Sequence, residues 1–335
     1  MYKISHILLM IITTLAVFDS CDNAIYLIDT EPARAMRQSN RVDVGSILFV
    51  STSKFEHGFN KRYKLYSMNE DGSNVRLFPY DTSVNIYNAQ WSPNGRKIAA
   101  TTDDGIVIMN YDGSGSYVIA KEGLLEGNYY YPGGGPVWSP DGKKIVYSRL
   151  MAPEALGISH SFVINIDGTN EIRIGQEDFS PGISSWTTNG IFVGSEYFFA
   201  QDSNGSLLAN NKLVFLNVQG NLLRTWGEVG QSNFGPVVSS QDGRIAFVSS
   251  KDCRCQHIRL MNFDGTNDYE PFRLSRSTVK KLVAWSPDGK KLLVQDGNES
   301  VASKMLIVTL ATKEIKEIMP FNKDSVYSQA VSWRK

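Results

Sequence analysis

The sequence predicts an all-β chain: a six-bladed β-propeller of four-stranded blades, closed by a C-terminal strand in the N-terminal blade. Three observations predict it. Trp138-Ser139-Pro140-Asp141-Gly142-Lys143-Lys144-Ile145-Val146-Tyr147 returns as Trp285-Ser286-Pro287-Asp288-Gly289-Lys290-Lys291-Leu292-Leu293-Val294 and as Trp91-Ser92-Pro93-Asn94-Gly95-Arg96-Lys97-Ile98-Ala99. Worn copies follow Trp186 and Ser239, and Trp333 ends a last fragment, so the tryptophan or its stand-in recurs at 91, 138, 186, 239, 285 and 333. The spacing, roughly 46 to 53 residues, is the length of a four-stranded blade. The third observation is that the first apolar strand, Ser46–Ser51, begins in mid-pattern, while the segment it lacks stands at the other end as Tyr327–Trp333.

Each repeat has a local physical reading. Ser-Pro-Asp-Gly is turn chemistry: proline presets φ, Asp bonds its own backbone, and glycine takes φ > 0 without steric cost. Apolar residues before and β-branched residues after make the turn a hairpin connection. The tryptophan reads as a plug between neighbouring blades, a large apolar surface with one N–H to satisfy. A second signature follows in step: Met68-Asn69-Glu70-Asp71-Gly72, Met109-Asn110-Tyr111-Asp112-Gly113, Ile164-Asn165-Ile166-Asp167-Gly168, Leu216-Asn217-Val218-Gln219-Gly220 and Met261-Asn262-Phe263-Asp264-Gly265. A blade is therefore strand, SPDG turn, strand, variable loop, strand, DG turn, strand. Ser239, standing where a tryptophan is expected, makes blade five the irregular one.

These tandem Trp-Ser-Pro-Asp-Gly repeats, paired with Met-Asn-x-Asp-Gly turns, resemble the WD40-like propeller repeats of TolB and its relatives over residues 44–335. The resemblance implies the fold. It implies little about function, because the repeat residues are turn and core residues. TolB proteins carry an α/β domain before the propeller, and prolyl oligopeptidase-type enzymes a hydrolase domain after it. The sequence here supplies neither, so neither activity is carried over.

From the start of the chain, residues 1–20 read as a signal peptide: Lys3 and His6 precede the apolar run Ile7–Phe18, too short to span a bilayer. Ser20-Cys21 after it resembles a bacterial lipoprotein signal, with Cys21 lipidated, although Asp19 departs from the pattern. The expected location is then the bacterial cell envelope, with the membrane reached through the lipid only. Residues 21–43 have no sustained period and read as a tether, and 44–335 as the propeller. Of 335 residues 42% are hydrophobic and 20% charged, enough to bury a large core. Net charge is zero, so no electrostatic footprint for nucleic acid exists.

SPDG and DG turns all project to one face. The opposite face receives the connections that vary in length, including 52–62, 121–136, 149–161, 196–211 and 251–256, and binding is usually built on such loops. Tyr129, Tyr130 and Tyr131, before a run of glycines, and Glu196 and Tyr197, at the head of the longest blade-internal loop, are the candidate ligand-binding residues, joined by His160. Aromatic platforms with carboxylates suit peptides or sugars; the plainer reading is that the rings seal the channel. His57, His160 and His257 share this face but lack metal-ligand spacing, so no metal is expected. Cys253 and Cys255 are candidates for a tight local disulfide. No linear enzyme or cofactor motif is present, and neither catalytic residues nor a cofactor are expected. The reading is a monomeric, non-catalytic binding module for a protein, peptide or glycan. Its rivals are a carbohydrate lyase or hydrolase with a site in the central funnel, and a structural envelope protein gripped through its channel.

Overall fold

The computed structural model describes residues 44–52, 63–81, 83–121, 135–150, 159–175, 179, 181–201, 205, 207–250, 256–274, 280–298, 301–319 and 327–334. Segments 1–20 and 21–43, and with them Cys21, lie outside these residues, as do His57, Tyr129, Tyr130, Tyr131, Cys253 and Cys255. Blade one holds β1 (Ile47–Thr52), β2 (Tyr63–Met68) and β3 (Arg76–Leu77); blade two holds β4 (Ile86–Trp91), β5 (Lys97–Thr102), β6 (Gly105–Asn110) and β7 (Tyr117–Ala120). Blade three is β8 (Val137–Trp138), β9 (Lys144–Leu150), β10 (Ser159–Asn165) and β11 (Ile172–Ile174). Blade four is β12 (Gly182–Trp186), β13 (Phe192–Gln201), β14 (Leu207–Leu216) and β15 (Leu222–Trp226). Blade five is β16 (Asn233–Val238), β17 (Ile245–Ser249) and β18 (His257–Met261). Blade six is β19 (Lys280–Trp285), β20 (Lys291–Asn298), β21 (Val301–Thr309) and β22 (Glu314–Met319), and β23 (Tyr327–Trp333) follows.

The last strand joins the first blade. β23 pairs antiparallel with β1 from Ile47↔Trp333 to Thr52↔Tyr327, and the sheet order β23-β1-β2-β3 makes it that blade's inner strand. Each inner strand lies against the next around the ring, β23 on β4, β4 on β8, β8 on β12, β12 on β16, β16 on β19 and β19 on β23. Closure leaves no open seam in the inner ring.

Stability is built between blades. Six apolar clusters each draw on two neighbours. Leu48, Val50 and Leu65 meet Ile86, Trp91 and Ile98, for example, and Leu293, Met305 and Ile307 meet Ile47, Phe49 and Trp333 across the closing seam. Middle strands are sandwiched on both sides, which is why β6 (Ile106-Val107-Ile108-Met109) and β17 (Ile245-Ala246-Phe247-Val248) run apolar without alternation. Fully burying one such Phe, Ile or Leu contributes about 1.5–3 kcal/mol. Four of the tryptophans are plugs with their N–H satisfied. Nε1 of Trp91, Trp138 and Trp285 donates to the carbonyls of Ser46, Gln90 and Val237 in the preceding blade, at 3.2, 3.0 and 2.9 Å. Trp333 donates instead to Glu70 Oε1, at 3.1 Å, and Glu70 Oε2 takes Lys291 Nζ of blade six.

Blade five departs from the sequence expectation in two ways. Val238 pairs with Ile245 as Trp138 pairs with Ile145, so Val238 holds the tryptophan's place and Ser239 is the motif serine. Like Ser139, it makes the turn's closing bond, its N–H donating to Arg244 O at 2.8 Å. The outer strand is also reduced to one bridge, Leu260↔Tyr269. Pro271, two residues on, has no N–H to continue the ladder. The third departure is in blade four. The segment Glu196–Asn211, expected as a loop, is mostly strand, paired from Glu196↔Lys212 to Gln201↔Leu207.

Candidate functional site

The two faces differ in chemistry. On the turn face the same small networks repeat. Ser139 Oγ donates to Asp141 Oδ1 at 2.6 Å, and the N–H groups of Lys143 and Lys144 close on Asp141 Oδ1 and Ser139 Oγ at 3.0 and 2.8 Å. Ser286 and Asp288 copy this in blade six, Ser92 and Asn94 in blade two. In the DG turns, Asp112 Oδ1 accepts from Ser114 Oγ at 2.7 Å, and Asn110 Nδ2 donates to the same hydroxyl at 3.0 Å; Asp167–Thr169 and Asp264–Thr266 repeat the pattern. The hydroxyl contacts hold these aspartates below the ordinary carboxylate range. Backbone bonds such as Tyr111 N–H to Arg96 O, at 2.9 Å, tie the two turn types side by side. Here the polar groups satisfy one another.

Among the described residues of the opposite face, blade four reaches beyond its own sheet. β13 and β14 are ten residues each, while the inner and outer strands of that blade have five, so the hairpin runs on past its own sheet. Alternation divides its side chains. Phe192 packs toward blade three and Val193 toward blade five, which sends Glu196 and Phe198 to the first side and Tyr197 and Phe199 to the second. Glu196 meets Lys212 at 3.3 Å, and the Lys212 ammonium sits 5.1 Å from the Phe198 ring centroid. Tyr197 and Phe199 form an edge-to-face pair with centroids 5.1 Å apart, yet they are 57% and 61% exposed. Two large rings held together and left in solvent are informative in a way that single exposed apolar residues are not.

His160 sits elsewhere. It lies on β10 with the parity of Phe162, facing blade two, opposite Arg149 on β9. Its Nδ1 is 3.0 Å from an Arg173 nitrogen; because arginine only donates, Nδ1 is the acceptor. Beside it Arg149 donates to Tyr147 Oη and to Glu171 Oε1, both at 2.6 Å, and Tyr147 also bonds Glu171. Burial first, and then the Glu171 contact, push the Tyr147 phenol well above its usual range. His160, Glu196 and Tyr197 thus lie along three successive seams, two-to-three, three-to-four and four-to-five. His257, in blade five, bonds Glu270 at 2.9 Å, and Arg273 and then His257 hold that carboxylate low. Among the described residues no three His, Cys, Asp or Glu side chains converge as metal ligands.

One group on this face has no counterpart in the sequence reading. Asp103, in the tight turn between β5 and β6, accepts from Asn85 N and Nδ2 and from Tyr87 Oη at 2.9, 3.0 and 2.6 Å. Asn85 Oδ1 takes the Tyr63 N–H at 2.8 Å, and the rings of Tyr63 and Tyr87 lie 5.5 Å apart. It is an ordered aromatic and carboxylate platform on blades one and two.

Residues 39–330 match the family described as the TolB beta propeller domain. No curated protein sequence matches the chain. Among solved structures, TolB from Acinetobacter baumannii is 16% identical over 86% of this chain and 67% of that one, with a TM-score of 0.60. A structure assigned as TolB from Agrobacterium tumefaciens is 14% identical over 86% and 98%, at 0.56. An oligogalacturonate lyase in complex with manganese is 12% identical over 77% and 70%, at 0.54. At such identities the likeness is one of fold. The repeated turns, the closed six-bladed ring and the family match over most of its length agree: the chain belongs to the TolB beta propeller domain family.

Proposed function

We propose that this propeller is an exported binding module of the bacterial envelope, held to a membrane by lipid at Cys21, that engages a protein, peptide or glycan through its variable-loop face without catalysis. The observation that carries the reading is the β13–β14 hairpin, which runs beyond its blade and holds Tyr197 and Phe199 paired and exposed. A tyrosine offers a large contact area with few rotors to immobilise and a hydroxyl to fix orientation. The turn face, by contrast, repeats one network from blade to blade, and a specific partner needs differences. Export and anchoring are supported by the apolar run Ile7–Phe18 and by Ser20-Cys21 after it. The test is a photoreactive phenylalanine analogue placed at position 199, and separately at position 290, in cells. A discrete adduct at 199 and none at 290 is expected; an adduct at 290 alone contradicts the proposal.

A further inference from the structure

We infer that the free edge of β14 above blade four accepts an extended segment of a partner polypeptide as an added strand. The inference rests on the binding role proposed above and says how that face engages. β13 and β14 pair without irregularity from Phe192↔Leu216 to Gln201↔Leu207. β15 covers only Leu213 to Leu216 of β14's other side, and the chain then turns off at Gly227, φ +121°. Past that point the Asn211 N–H points away from β13 and donates to Ser232 Oγ at 3.1 Å. Strand alternation then turns the N–H and C=O groups of Ala209 and Leu207 outward along the same edge. β15 pairs with neither of them.

A row of alternating donors and acceptors is satisfied by an extended backbone. The edge runs only from Leu207 to Asn211, with Ser232 against its lower end, which suits one segment of chain rather than the edge of another blade. Tyr197 and Phe199 stand on the blade-five side of the same hairpin. Glu196 and Lys212 neutralise each other on the other side. The segment that fits therefore carries apolar residues at alternate positions, on the side of the two rings, and needs no net charge.

The experiment is selection of random dodecapeptides displayed on phage against the full chain, followed by affinity measurement on variants. Ala209→Pro removes one outward N–H and no bond to β13, so enriched peptides should lose about tenfold or more in affinity, as expected for backbone hydrogen bonds and a displaced edge. Amide exchange at Ala209 should slow in the complex. If Ala209→Pro does not fold, alternate N-methylation of the peptide makes the same test from the other side. No enrichment, or peptides indifferent to Ala209→Pro and to N-methylation, overturns strand addition. If such peptides are still lost with Tyr197→Ser and Phe199→Ser, the binding face stands and only its mode fails; indifference to all of these sinks both. A chain that dimerises by sedimentation, and ceases to with Ala209→Pro, shows a second copy as the occupant and overturns the proposal.

Discussion

The glycine of each DG turn does more than permit a left-handed turn, and Gly72 shows how much more. Its φ is +85°, and a Cβ there would overlap the carbonyl oxygen of Ile318 in β22, the outer strand of the neighbouring blade. Gly113 meets Pro79 O in the same way, Gly168 approaches Ile119 O, and Gly265 approaches the Trp226 ring, each across a seam. Gly72→Ala therefore incurs two penalties. The left-handed region costs an L-residue about 1–2 kcal/mol. Overpacking against a backbone atom that cannot rotate away adds about 1–3 kcal/mol. The sum, about 2–5 kcal/mol, is a large part of the 5–15 kcal/mol or so that holds a domain folded. Gly205 supplies the control: its φ is +79°, but nothing lies within 4 Å of where its Cβ would be, so alanine there meets only the first penalty. Urea unfolding followed by tryptophan fluorescence, with the slope checked for constancy, reads both. Gly72→Ala should lie below Gly205→Ala by at least about 1 kcal/mol. Equal losses would show that the turn alone needs the glycine, and the account of the seams would fail.

Ring closure gives a second expectation. Trp333→Ala should cost about 3–5 kcal/mol as a buried aromatic truncation, and deletion of 327–335 should leave unpaired blade edges and aggregate; a truncated chain melting like the full one contradicts this. A third concerns acid. Asp141 and Asp288 are held low by the hydroxyls of Ser139 and Ser286 first, and by backbone N–H groups next. Their contribution is complete at neutral pH, above the unfolded value, and is lost as pH falls through the depressed folded one. Asn94 already fills that place in blade two, accepting from Ser92 Oγ and Arg96 N–H. Asp141→Asn with Asp288→Asn should thus fall below the parent at pH 7 and lose less stability below about pH 4, so that the two converge in acid; parallel urea-midpoint curves would refute it. For anchoring, Cys21→Ala should release the protein from membranes or stall it unprocessed, and a wild type recovered soluble with an unmodified N-terminus would show lipidation to be wrong.

The blades were legible because their turns are made by local chemistry. Ser139, Asp141 and Gly142 close on one another, so the turn can be read without its surroundings. Blade five misleads at one residue. Gly243 N–H reaches four residues back to Ser239 O, where Gly142 reaches three back to Ser139 O, so aligning on Asp-Gly shifts the tryptophan's place from Val238 to Ser239. The outer turn of blade six carries no Asp-Gly, because Lys313 takes the positive φ of 58° itself. The hydroxyl partners Ser73, Ser114, Thr169 and Thr266 do not stand out in the sequence because either Ser or Thr fills the place. The hairpin of blade four reads as loop in sequence because nothing in Glu196–Phe199 alone names Ala209 to Lys212 as partners. Tyr63 and Tyr87 stand on strands of two blades, Asn85 and Asp103 on the connections beside them, and only the fold assembles the four.

The most direct measurement takes the partner captured through position 199 and compares its affinity for three proteins. These are the parent, a Tyr197→Ser and Phe199→Ser double variant, and a Lys143→Glu and Lys290→Glu double variant on the exposed turn face. If the rings are anchors, each carries about 2 kcal/mol, roughly thirtyfold in affinity on truncation, and the lysine changes leave binding as it was. Binding abolished by the lysine changes and untouched by loss of the rings would place the functional face on the other side of the ring.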